Sequence, residues 1–135
     1  MSLKGKRIFY VEDDVGNKAI AQLILEQAGV LFAFERWGNE NTIAKLRAFM
    51  PVDLIMLDLM LAHQVSGYDV FEAIRREPEF GHIPIVAVSA ADPSVEIPKA
   101  RDKGFAGFIG KPISLRLFPQ QIAELINGGQ VWYAR

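Results

Sequence analysis

The chain has 135 residues, a length typical of one domain that buries its own core. Its 15 basic and 16 acidic residues give a net charge of −1, which argues against direct nucleic-acid or anionic-membrane binding. Cysteine is absent, which excludes disulfides, thiol catalysis and cysteine-based metal sites. Because no apolar run is long enough to span a membrane and no signal-peptide pattern is present, we expect a soluble, cytoplasmic domain.

Five short apolar runs, each bounded by charged or turn residues, predict strands that are buried on both faces. They cover residues 8–11, 31–34, 54–57, 85–88 and 105–109.

Between these runs, apolar residues recur at helical spacing and indicate helices. These positions are Ile20, Leu23 and Ile24; Ile43, Leu46 and Met50; and Val70, Phe71 and Ile74. Gly29 is expected to end the first helix and Pro51 the second, and a last helix is expected over about 118–126. Segment 94–103 is a weaker helix candidate, because Pro98 is expected only near a helix start.

The five-fold alternation of strand and helix predicts an α/β fold, a doubly wound five-stranded parallel sheet with helices on both faces. In such sheets, ligands bind beyond the carboxyl ends of the strands, where the strand order reverses. The residues that follow each apolar run are therefore the candidate site. They are Glu12, Asp13 and Asp14 after the first run, Asp58 after the third, Ser89 after the fourth and Lys111 after the fifth.

These residue types indicate phosphoryl transfer. Crowded carboxylates favour a hard divalent cation such as Mg²⁺. A lysine and a hydroxyl suit phosphate oxygens. Asp58 follows the middle strand and is the expected acceptor, since a carboxylate can form an acyl phosphate.

Each residue alone also has an ordinary interpretation. An acidic triplet is most often a solvated turn or a helix cap, and an aspartate or serine after a strand often caps a helix. Joint placement at four strand ends is what favours a site. The two histidines, His63 and His82, are expected to be loop residues rather than metal ligands.

Four motifs resemble the receiver domains of bacterial two-component response regulators. They are residues 8–14 (IFYVEDD), 53–61 (DLIMLDLML), 83–90 (IPIVAVSA) and 110–112 (GKP). The resemblance implies the flavodoxin-like strand order 2-1-3-4-5. It also implies a receiver domain over residues 6–127, followed by a short C-terminal tail over 128–135.

The resemblance makes Asp58 the phosphoacceptor and gives the chain a Mg²⁺ site. Asp13 would be a direct ligand and Glu12 would act largely through water, while Asp58 and the backbone carbonyl of Met60 would complete the set. Asp14 would be the additional acid that often follows the pair.

The same resemblance implies roles at the other strand ends. Lys111 would pair with the phosphoryl group, Ser89 would be the switch hydroxyl, and Phe108 would occupy the aromatic switch position. Met60 and Ala91 would flank the path of the hydrolytic water. Neither side chain can orient water, so we expect slow self-dephosphorylation.

The chain departs from the family pattern at three places. Ala62 stands where proline is common, and the loop after Asp58 is slightly longer than usual. Pro93 and Pro98 make the fourth crossover unusual.

The predicted function is a phosphorylation-activated switch that accepts its phosphoryl group from a sensor histidine kinase or a histidine phosphotransfer protein. The chain would not be an enzyme with a separate substrate, although it would assist its own phosphorylation and dephosphorylation. A downstream effector or a second copy would bind the face formed by the fourth helix, fifth strand and fifth helix.

Three alternative functions fit the sequence less well. A pseudo-receiver that serves only as a docking module typically lacks an acid or the acceptor, and this chain keeps them all. A flavodoxin-like cofactor protein would have a phosphate-cradling loop where three acids stand. A nucleotide-hydrolysing enzyme with a P-loop at Gly110 and Lys111 is excluded. Phe105 occupies the position of the first P-loop glycine, and Pro112 replaces the Ser or Thr.

Overall fold

The computed structural model describes residues 2–134 and contains one parallel β-sheet flanked by helices. The strands are β1 (Arg7–Val11), β2 (Leu31–Glu35), β3 (Leu54–Leu57), β4 (Ile85–Ser89), β5 (Gly107–Gly110) and β6 (Val131–Tyr133). The helices are α1 (Val15–Gln27), α2 (Glu40–Phe49), α3 (Gly67–Arg75), α4 (Pro93–Lys103) and α5 (Phe118–Ile126). The sheet order is β2-β1-β3-β4-β5-β6, so the predicted α/β class and the order of the first five strands are confirmed.

The helices cover both faces of the sheet. On one face, Phe9 and Leu57 pack with Leu46 of α2, Phe71 of α3 and Ala100 of α4. On the other face, a second core joins the sheet to α1 and α5; its members include Ile8, Tyr10, Met56, Leu25 and Phe118. Every residue of β3 and β4 is buried, as their continuous apolar sequences predict.

The helix ends follow from local side-chain and backbone chemistry. Asp14 caps α1, because its carboxylate accepts a hydrogen bond from the backbone N–H of Asn17 at 2.8 Å. Gly29 follows this helix with φ of +91°, a conformation that favours glycine and confirms its predicted role as a stop signal. None of the helices within residues 2–134 combines the length and hydrophobicity needed to cross a membrane.

Helix α4 accommodates both of its prolines. Pro93 lies in the first turn, where its missing N–H costs no hydrogen bond. Pro98 lies inside the helix rather than near its start, contrary to the expectation from sequence. The carbonyl that loses its partner belongs to Ser94, an exposed residue, so water can satisfy it.

The sixth strand corrects the expected five-stranded sheet, and it lies within the segment 128–135. Residues Val131–Tyr133 pair in parallel with β5, with Trp132 opposite Phe108. This pairing requires glycine at position 107, because a Cβ there would lie 2.2 Å from the Val131 carbonyl oxygen. Trp132 packs against the core on the α4 side, whereas Val131 and Tyr133 pack on the α5 side.

Candidate functional site

The register of the sheet brings the candidate residues to one edge. Val11 of β1 lies opposite Leu57 of β3, and the backbone N–H of Asp58 donates to the Val11 carbonyl at 3.1 Å. On the neighbouring strands, the N–H of Lys111 donates to the Ser89 carbonyl at 2.9 Å. The residues that follow β1, β3 and β5 therefore come to the same edge of the sheet.

Three carboxylates form a cluster at this edge. Glu12, Asp13 and Asp58 each place a carboxylate oxygen so that all three oxygens lie within 4.8 Å of one another. Glu12 is 1% exposed and Asp58 is 6% exposed. The Oε2 atom of Glu12 is buried without a hydrogen-bond partner among the described residues. Hard oxygen ligands with one unpaired buried oxygen fit a cation such as Mg²⁺.

Lys111 links two of these carboxylates. Its ammonium group donates to Glu12 Oε1 and, at 3.1 Å, to Asp58 Oδ2. Among the described residues, one ammonium pairs with this group of three carboxylates, so the ionised cluster keeps an excess of two negative charges, which a divalent cation would neutralise.

The charges in this cluster perturb one another. Burial, reinforced by Asp58, raises the pKa of Glu12 to about 7 although Lys111 opposes the change. Burial alone would lower the pKa of Lys111, but the Asp58 and Glu12 carboxylates raise it, so the ammonium stays charged.

Tyr10 contacts the carboxylate cluster, and the sequence did not predict this contact. Its side chain is fully buried, and its hydroxyl donates to Glu12 Oε1 at 3.3 Å. Burial and the neighbouring Glu12 raise the pKa of Tyr10 well above its usual value, so the hydroxyl keeps its proton. The spacing of Tyr10 and Glu12 could have indicated it, because residues two apart on a strand point to the same face.

Gly67 was also missed, and it determines how closely α3 approaches the acceptor. A Cβ at this position would lie 2.2 Å from the Asp58 carbonyl oxygen. The N–H of Gly67 donates to the Leu59 carbonyl at 2.9 Å, which fastens the start of α3 to the loop after Asp58. Within that loop, the Met60 N–H donates to Asp58 Oδ1 at 3.2 Å.

A further buried carboxylate near the ends of the strands, Glu35, has a structural role. Its Oε2 accepts from the backbone N–H groups of Trp37 at 2.8 Å and Gly38 at 3.0 Å, and from the Thr42 hydroxyl. These bonds order the turn between β2 and α2, so Glu35 is not a spare ligand for the cluster.

The predicted switch residues are buried and form no hydrogen bond to the carboxylate cluster among the described residues. Ser89 ends β4, is fully buried, and accepts a hydrogen bond from the Ala91 N–H at 3.1 Å. Among the hydrogen bonds of residues 2–134, none joins Ser89 to Asp58. Phe108 is buried in the core on the α2–α3–α4 face, and Met60 is 61% exposed.

Both histidines lie in loops, as predicted, and neither belongs to the carboxylate cluster. The His63 ring packs 5.6 Å from the Trp37 ring, measured between centroids. His63 and Gln64 have φ of +59° and +60°, so the loop after Asp58 contains two consecutive left-handed residues.

Comparison with known proteins identifies the family. The family model for the response regulator receiver domain matches residues 8–123. The chain belongs to this family. A curated relative, the polar-differentiation response regulator DivK of Brucella ovis, is 32% identical over 122 residues, which cover 90% of this chain and 97% of DivK. The receiver domain described here is therefore a signalling module of two-component systems.

Solved structures show the same receiver fold. The chemotaxis response regulator CheY4 of Vibrio cholerae superposes with a TM-score of 0.79 at 18% identity, over 90% of this chain and 99% of CheY4. The receiver domain of sensor histidine kinase PA1611 from Pseudomonas aeruginosa gives a TM-score of 0.77 at 21% identity, over 92% and 99% of the two chains. That structure has a magnesium ion coordinated in its active-site cleft.

Proposed function

We propose that this receiver domain is a phosphorylation-activated switch whose phosphoacceptor is Asp58. The observation that carries the proposal is the contact between the buried Asp58 carboxylate and the Lys111 ammonium, beside Glu12 and Asp13. This arrangement combines a nucleophile, a fixed positive charge and a set of cation ligands at the carboxyl edge of the sheet.

The proposed step is in-line transfer from a phosphohistidine. An oxygen of Asp58 forms the new bond to phosphorus while the bond from phosphorus to the histidine nitrogen breaks, and the imidazole leaves as a neutral group after it takes up a proton from solvent. Lys111 stabilises negative charge on the transferred oxygens as it builds up. The donor would be a sensor histidine kinase or a histidine phosphotransfer protein.

The Mg²⁺ ligands in this proposal are Glu12, Asp13, Asp58 and the backbone carbonyl of Met60. The unpaired Glu12 Oε2 and the excess negative charge of the cluster support the first three. The magnesium ion of the Pseudomonas relative is a further support. When bound, the cation would neutralise charge on the phosphoryl oxygens.

Activation would pass through Ser89 and Phe108. A phosphoryl group on Asp58 would draw the Ser89 hydroxyl away from the Ala91 N–H, and the Phe108 ring would turn into the space released. Because Phe108 lies opposite Trp132, the change would reach β6 as well as α4 and α5.

Two surfaces are proposed for partners. Exposed apolar side chains near the carboxylate edge support docking of the phosphodonor; they are Val15, Met60 and Leu115. A downstream effector or a second copy would bind the face of α4, β5 and α5, to which the partly buried edge strand β6 also belongs. The balance of 15 basic and 16 acidic residues supports a protein partner rather than nucleic acid.

Substitution of the acceptor tests the function directly. Incubated with acetyl phosphate and Mg²⁺, the wild type should gain one phosphoryl group by intact-mass analysis, and Asp58→Asn should gain none. Asp14→Asn is the matched control, because it makes the same change in an exposed helix cap where asparagine serves equally well. Equal labelling of Asp58→Asn and wild type would refute the assignment, and no labelling of either would favour the docking-module alternative.

A further inference from the structure

Glu12 is held by two donors that both contact the same oxygen. Tyr10 and Lys111 donate to Oε1, whereas Oε2 is buried and has no partner among the described residues. A buried carboxylate oxygen without a partner is costly unless a ligand satisfies it. The two donors therefore orient the carboxylate so that its other oxygen remains available.

The two donors differ in the number of carboxylates that they contact. The Lys111 ammonium is shared with Asp58, at 3.1 Å, and would be drawn toward any phosphoryl group placed there. The Tyr10 hydroxyl contacts Glu12 alone among the described residues. Its ring is fixed in the core on the α1–α5 face, edge-on to Phe32 at a centroid distance of 6.3 Å. It thus stays in place when Lys111 moves.

We propose that Tyr10 is a positioning residue for the cation site: its hydroxyl holds Glu12 Oε1 so that Oε2 faces the bound cation or its water. This inference rests on the proposed function, since it assigns Tyr10 a part in the same site. Tyr10 would act only through Glu12 and would touch neither the cation nor the phosphoryl group.

Removal of the hydroxyl alone tests this role. Tyr10→Phe should raise the Mg²⁺ dissociation constant of the unphosphorylated protein about three- to tenfold by calorimetric titration, the expected effect of one lost hydrogen bond of ordinary strength. Tyr68→Phe is the matched control. It also deletes a tyrosine hydroxyl that donates to a glutamate, Glu96 at 3.0 Å, but that glutamate is outside the carboxylate cluster. Its Mg²⁺ affinity should equal that of the wild type.

A double-mutant cycle with Glu12→Gln separates positioning from general packing. If Tyr10 acts through Glu12, Tyr10→Phe should change the Mg²⁺ affinity by less than about twofold in the Glu12→Gln background. An unchanged affinity of Tyr10→Phe in the wild-type background would overturn the proposal, and so would an equal loss in both backgrounds. Wild type that binds no Mg²⁺ would refute the proposed cation site as well, whereas normal binding by wild type and Tyr10→Phe would refute only the role of Tyr10.

Discussion

At the scale of single residues, two adjacent acids have different surroundings. Asp13 contributes an oxygen to the carboxylate cluster, whereas the Asp14 side chain turns to the N–H of Asn17 and caps α1. Neighbours in sequence can therefore differ in their contacts, since one joins the carboxylate cluster and the other caps a helix. Each effect can be measured separately.

Asp13→Ala should weaken Mg²⁺ binding by at least about tenfold, because a ligand to the cation is lost, with little change in metal-free stability. Asp14→Ala should lower the free energy of unfolding by about 1 kcal/mol through the lost cap, with Mg²⁺ affinity unchanged. Calorimetric titration and urea unfolding check the two effects. The reverse ranking would show that the acidic run had been assigned in the wrong register.

Lifetime of the phosphorylated state is a second property expected to depend on single side chains. Met60 is 61% exposed and Ala91 is partly buried, and neither can orient the attacking water. Met60→Asn combined with Ala91→Glu should speed decay of the aspartyl phosphate about tenfold, the effect of one gained transition-state contact. Decay is followed by intact mass, with Met60→Leu as the apolar control. A double mutant that decays no faster would exclude these positions as determinants of the lifetime.

At the scale of elements, β6 depends on one glycine. A methyl group at position 107 would meet the Val131 carbonyl oxygen at 2.2 Å, and backbone atoms on a paired strand cannot move aside without breaking the pairing.

Gly107→Ala should detach β6, which would lower the free energy of unfolding by about 1–3 kcal/mol, as overpacking usually does. The amide of Val131 should lose protection from hydrogen exchange, and Trp132 should leave its contact with Arg101, now 4.5 Å from the ring centroid. Gly81→Ala is the control, because its added Cβ would lie 3.3 Å from the Pro78 carbonyl oxygen, a tight contact that a shift of a few tenths of an ångström relieves. Unchanged protection at Val131 would show that the pairing tolerates a side chain.

At the scale of the whole molecule, the switch should connect the carboxylate edge to the face that carries β6. Ser89 and Phe108 are both fully buried, so a movement of either side chain must displace neighbouring protein atoms rather than solvent. Their strands are paired in register, with Ser89 opposite Gly110 and Phe108 opposite Trp132.

Addition of beryllofluoride, a phosphoryl analogue, with Mg²⁺ should shift amide resonances along β4, β5 and β6, and the indole resonance of Trp132. Because the switch is a population shift, the protein without beryllofluoride should already contain a minor population of the active state. Ser89→Ala should confine the changes to the surroundings of Asp58. If wild type showed only such local changes, the relay through Ser89 and Phe108 would be wrong.

The amino-acid sequence by itself determined the first five strands, their alternation with helices and the chemistry at the strand ends. Continuous apolar runs such as 54–57 are buried on both faces wherever they lie in a parallel sheet, so local composition suffices to predict them. Likewise, the carboxyl ends of parallel strands must meet at one edge, which made Asp58, Asp13 and Lys111 predictable as neighbours.

Only the tertiary structure decided which groups come into close contact and which donors bind the same acceptor atom. The three residues of β6 carry too little periodicity to predict a strand, and they form one because β5 offers an open edge with glycine at 107. The approach of Gly67 to Asp58, and the convergence of Tyr10 and Lys111 on one oxygen of Glu12, depend on distances of a few ångströms between separate elements. Sequence periodicity specifies which face a side chain occupies, whereas such distances are set by how whole elements pack.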